Sequence, residues 1–142
     1  MSLNESDFLK LGFENIPTYE LLREFFYERI GVEEFPFVFQ WIAKELVFLL
    51  KKKDVLIGTR TFEDATGVRA LKQDSDAQYS GYYKESGYKL DVTIDAGSEI
   101  PLHYLPMEIT ADEGKNLVPS QEQIASLGIQ EKERIVDDKY AT

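Results

Sequence analysis

The chain has 142 residues, 43% of them hydrophobic and 30% charged, with a formal net charge of −10 and no cysteine. That length suits one domain, or one domain with a tail, and the composition excludes both a disordered chain and a membrane protein. Without cysteine, disulfides, thiolate metal sites and cysteine nucleophiles are excluded together.

The opening "MSLNESDFLK" lacks the basic flank and apolar run of a signal peptide, so a cytoplasmic location is expected. Acids outnumber bases 12 to 9 in residues 1–71 and 14 to 7 in residues 72–142. Such a surface repels phosphate backbones and attracts basic partners, although many acidic proteins are charged only for solubility.

In chain order, a short turn or helix is expected around "SDFLKLGF", capped by Ser6 and ended by Gly12. Thr18 then caps an amphipathic helix, "YELLREFFYERI", with Leu21, Leu22, Phe25, Phe26 and Ile30 at helical spacing and Gly31 as its left-handed stop. A second helix follows in "FPFVFQWIAKELVFLLKKKD". Pro36 suits its first turn, Glu33 and Glu34 precede its positive end, and Lys51, Lys52 and Lys53 sit at its negative end. Its polar stripe, Gln40, Lys44 and Glu45, is thin, so the helix is expected to be buried nearly all round, as a central core helix or one sharing its apolar surplus with a partner or second copy. Lys44 and Glu45 interrupt the run too early for a membrane span, and phenylalanine and valine occupy the face that a DNA-reading helix would need for polar side chains.

After Asp54 the period changes. "VLIGTR" reads as a short strand, and "TFEDATGVRALKQDSDA" is ambiguous between loop and short helix. In "QYSGYYKESGYKLDVTIDAG", Tyr88, Leu90, Val92 and Ile94 alternate with Lys89, Asp91, Thr93 and Asp95, which predicts a β-hairpin with the apolar set dry and the polar set wet, its "KESG" turn placing Gly87 at positive φ. "EIPLHYLPMEIT" is broken by Pro101 and Pro106 and belongs at a sheet edge or bulge. Ser120 and Gln123 form a capping-box pattern for a short helix ended by Gly128, and residues 129–142 read as a tail, frayed or forming a terminal turn. The expected fold is therefore α+β: helices packed on a mostly antiparallel sheet, with a short C-terminal helix, in a single domain of residues 1–128.

Catalytic chemistry finds no motif. His103 is the only histidine and reads as a satisfied structural side chain; an enzymatic role would need Glu99 or Glu108 beside it in a concave pocket. No zinc set, nucleophile elbow, P-loop or dinucleotide fingerprint occurs, and the calcium-like start at Asp74 and Asp76 has Tyr79 where the loop needs glycine. No enzyme, metal or cofactor is expected. The surface candidates are the tyrosines Tyr79, Tyr82, Tyr83 and Tyr88, which either pack the hairpin or supply contact area to a protein.

The order "YELLREFFYERIGVEEFPFVFQWIAKELVFLLKKKDVLIG", two helices running into a strand, resembles a family of small bacterial proteins, and the small acidic α+β chain as a whole looks like the immunity proteins of bacterial toxin systems. The first resemblance covers only that part of the chain, and no family residue is carried over. What it implies is a non-enzymatic inhibitor that neutralises a basic toxin, with Tyr79, Tyr82 and Tyr83 as anchors and Asp74, Asp76 and Glu85 around them. The alternatives are a self-assembling structural or regulatory protein, expected as a homodimer, and a DNA-mimicking inhibitor; direct nucleic-acid or membrane binding is not expected.

Overall fold

In the computed structural model of the chain, residues 15–31 and 33–140 are described. The expected turn at Ser6 to Gly12 lies outside them. Helix α1 spans Tyr19–Glu24, with the Thr18 hydroxyl accepting from Leu21 N at 3.2 Å, and widens into a π-helical stretch, Phe25–Ile30, closed by Gly31 at φ 86°. The wide turn is visible in Gly31 N donating to the Phe26 carbonyl five residues back. None of its residues is buried, so this helix does not cover its apolar stripe as the sequence pattern suggests.

Helix α2 spans Phe35–Lys52 and ends at its lysines as expected. Two compact units meet in sequence within it, at Phe39 and Gln40. In the first unit, Phe26 packs edge-on against Phe35, ring centres 5.7 Å apart. In the second, α2 lays one narrow stripe, Ala43 and Val47, inward, while Gln40 donates to Ser126 and Lys51 to the Gly128 carbonyl. Phe37, Trp41, Ile42, Phe48 and Leu49 remain exposed, Trp41 by 63%. Of the two expectations, the central core helix is therefore not formed. Its apolar arc is wider than the surface that meets it.

The second unit is built on a five-stranded sheet: β1 Thr61–Arg69, β2 Gln78–Ser80, β3 Glu85–Asp95, β4 Pro101–Glu108 and β5 Arg134–Val136. β3 is the spine. It pairs antiparallel with β1 along one edge, and with β2 and then β4 along the other, while β5 adds to β1 in parallel. The fold is α+β with a mostly antiparallel sheet and a short C-terminal helix, α3, Leu117–Ser126. The expected strand at "VLIGTR" is not formed, and the stretch left between loop and helix, from Thr61, is instead the second-longest strand. The prolines of β4 sit where expected, on an edge strand with a bulge opposite Thr93 and Ile94. Gly128 ends the turn after α3 at φ 73°, but α3 begins at Leu117, so Ser120 lies inside the helix and donates to the Leu117 carbonyl rather than capping it.

Residues 129–140 are not a frayed tail. Ile129 and Tyr140 are buried, β5 extends the sheet, and a 3-10 turn, Asp138–Tyr140, brings the tyrosine to Asp91 on β3. Among the described residues, no helix is long and apolar enough to cross a membrane.

Candidate functional site

The β3 alternation is present, and its polarity is reversed. Lys89, Asp91, Thr93 and Asp95 are buried, whereas Tyr88, Leu90, Val92 and Ile94 are only half-covered. The register carries this polar face across the sheet: Thr61 opposes Asp95, Glu63 opposes Thr93, and Thr93 opposes His103. Above it lie Glu113, Asn116, Ser120 and Gln123, spaced three, four and three apart so that they share one helical side. That spacing is the signal by which the sequence could have disclosed a covered polar face.

Arg134, from the strand taken as a tail, organises one end. Its guanidinium donates to Glu63 Oε2, to Ser120 Oγ and, through two nitrogens, to both oxygens of Glu131. At the other end Lys89 donates to Glu113 Oε1 at 2.8 Å and to the Ala111 carbonyl. Burial pushes the Glu63 carboxyl up, opposed by Arg134 and reinforced by the neighbouring Asp91 charge. Burial likewise raises Asp91, against hydrogen bonding from Asn116 and Tyr140, and raises the Tyr140 phenol among Asp91, Glu63 and Glu113. Asp95 goes the other way: burial would raise it, but donors from Gly58, Ser98 and Gly97 outweigh burial and hold it below its ordinary value.

His103 has both ring nitrogens engaged. Nδ1–H donates to Gln123 Oε1 at 2.5 Å and Nε2 accepts from Asn116 Nδ2 at 3.4 Å, which selects one neutral tautomer. Burial lowers its pKa, and the Gln123 hydrogen bond and Asp91 charge only partly offset that. Glu99 and Glu108 are exposed, and the ring's hydrogen-bond partners are the two amides instead. The arrangement required for a carboxylate–histidine base is not formed. Among the described residues, no group of three or more histidine or carboxylate side chains is placed to hold a metal ion.

The predicted contact residues lie along the β2–β3 hairpin and in the loop before it, on both sides of it. Tyr82 is 71% exposed and stacks edge-on against Tyr83 at 5.0 Å. Tyr83 is half-buried: its hydroxyl donates to the Ala65 carbonyl and its ring lies against Gly67. Tyr79, 63% exposed, pairs with Ser86, and strand alternation puts it on the face opposite Ser80. Asp74 accepts from Asp76 N and from the Tyr88 hydroxyl, bracing the loop before β2. Asp76 is exposed and Glu85 half-buried at the start of β3. The turn's left-handed residue is Lys84, φ 56°, and Gly87 lies within the strand instead, where its missing side chain lets β1 approach.

The chain matches no family model, no curated protein and no solved structure.

Proposed function

We propose that the protein is a non-enzymatic binding module, an immunity-type inhibitor that captures a basic toxin in the cytoplasm through the end of its β2–β3 hairpin. The observation that carries this is the exposure of Tyr79 and of Tyr82, with Asp76 also exposed three residues before Tyr79, on a chain of net charge −10. Large exposed aromatics supply contact area at small entropic cost, and surrounding acids accelerate encounter with a cation-rich partner. Tyr83 belongs to the hairpin's packing, and Asp74 braces the loop; the partner contacts are assigned to Tyr79, Tyr82, Asp76 and Glu85. Affinity capture from the native organism's lysate, with the wild type and a Tyr79→Ala/Tyr82→Ala variant side by side, tests it. A basic protein retained by the wild type, released by salt and lost from the folded variant is the expected result; equal retention by both overturns the assignment.

A second reading, self-assembly, is favoured by the exposed Phe37, Trp41, Phe48 and Leu49 of α2. Glu33 and Glu34 precede that helix and Lys51 to Lys53 close it, so antiparallel pairing about a two-fold axis would oppose unlike charges at both ends. DNA mimicry is less well supported, because Glu63, Asp91, Asp95 and Glu113 are buried and unavailable to such a surface.

A further inference from the structure

The two faces of the sheet differ in charge as well as in polarity. α3 and the turn before it pack on the side that carries Lys89, His103 and Arg134. On the other side stand Tyr88, Leu90, Val92 and Ile94, and the register extends that side across the strands, because residues directly opposite one another share a face. Phe62 opposes Ile94, Val68 opposes Tyr88, Tyr104 opposes Val92 and, from β5, Ile135 opposes Phe62. Phe62, Val68 and Ile135 are exposed, the β3 residues between them are half-covered, and Tyr79, opposite Ser86, is exposed at one corner. The three cations of the strands, Arg69, Lys89 and Arg134, all fall on the α3 side. The open side carries two acids instead, Asp64 opposite Val92 and Glu108 opposite Tyr88, both exposed.

A contiguous apolar sheet face gains free energy when a further layer covers it, and the charges on it select that layer. A second copy would bring the same two acids and no cation, burying Asp64 and Glu108 uncompensated on a chain of net charge −10. A layer bearing lysine or arginine would pair them. We propose that the open face receives an amphipathic helix of the basic partner, its apolar stripe on Leu90 and Val92 and a cation near each end against Asp64 and Glu108. The two acids lie on strands flanking β3 and are offset by four residues along it, hence roughly 16 Å apart, the length of about eleven helical residues. The inference rests on the binding-module reading and extends its contact from Tyr79 on the hairpin onto the sheet.

The test is a nuclear magnetic resonance titration of the full ¹⁵N-labelled chain with a synthetic helical peptide that carries a leucine stripe and two lysines about eleven residues apart. The control is the same peptide with glutamates in place of the lysines. Saturable shifts of the Val68, Leu90 and Val92 amides are expected with the lysine peptide, and binding on the order of tenfold weaker with the glutamate peptide. Asp64→Lys/Glu108→Lys, at exposed positions and with its fold checked by circular dichroism, should reverse that preference. Equal affinity for the two peptides, or no shift at these amides, overturns the proposal. So does a dimer in sedimentation that Val68→Lys dissociates, which would make a second copy the occupant. If the lysine peptide fails while Tyr79→Ala/Tyr82→Ala still abolishes capture of a basic protein, the sheet face falls and the binding module stands. If the peptides behave as expected while that variant captures as well as the wild type, the hairpin assignment falls and the sheet face stands.

Discussion

At the residue scale the polar face makes stability depend on pH in two opposing ways. His103 titrates below its ordinary value of 6.5 in the fold, so its contribution is complete above that pH and is lost as the pH falls through the depressed folded value. Glu63 and Asp91 are raised above 4.5 and 3.8, so their contribution is complete below those values and is lost as the pH rises through the folded ones. Chemical denaturation at pH 7.5, 6.5 and 5.5 should therefore show the wild type losing stability on acidification relative to His103→Gln; parallel curves would contradict the buried neutral ring. Arg134 faces one buried carboxylate, Glu63, and one half-buried, Glu131, so Arg134→Met should cost about 3 kcal/mol or more, measured by urea unfolding at neutral pH. Neither role was legible in the sequence. A lone arginine in a polar C-terminal stretch looks solvated until the register of β5 on β1 places it against Glu63.

At the element scale, Gly87 marks a tight approach of β1 to β3. A Cβ there would overlap the Val68 carbonyl and stand 3.0 Å from Ala70 N, both backbone atoms of the neighbouring chain segment. Gly87→Ala should thus part β1 from β3 and cost about 1–3 kcal/mol, seen as a lower thermal midpoint with slow exchange lost from the β1 and β3 amides. The sequence pointed to a role for this glycine and assigned the wrong one, because "KESG" resembles a turn, whereas the turn closes three residues earlier at Lys84. The alternation of β3 was legible in the same partial sense. Period two states that two faces differ, but which face is covered depends on what packs above, and the polar row on α3 and the turn before it selects the polar one. β4 was read correctly because proline removes a ladder donor, a local fact that needs no tertiary context.

At the scale of the whole molecule, the α+β class and the order of its main helices followed from periodicity, while the distribution of apolar surface did not. Helical spacing in α2 identifies a helix but not the width of the surface that receives it, and here that surface takes only Ala43 and Val47. The molecule's single tryptophan lies on the open arc, so its emission should be that of a wet indole in dilute solution. Sedimentation equilibrium should show mass rising with concentration, accompanied by a blue shift of that emission, if the second reading holds, and Trp41→Glu should abolish both; a concentration-independent monomer would exclude it. The parallel pairing of β5 on β1 also sets an order of events. Glu63 leaves the ribosome 71 residues before Arg134, and parallel neighbours cannot be joined by a tight hairpin. The nascent β1–β3–β4 meander must therefore keep its charged side hydrated throughout that interval, and the sheet can close only after a later segment has threaded back to its first strand, a long-range closure that favours slow completion.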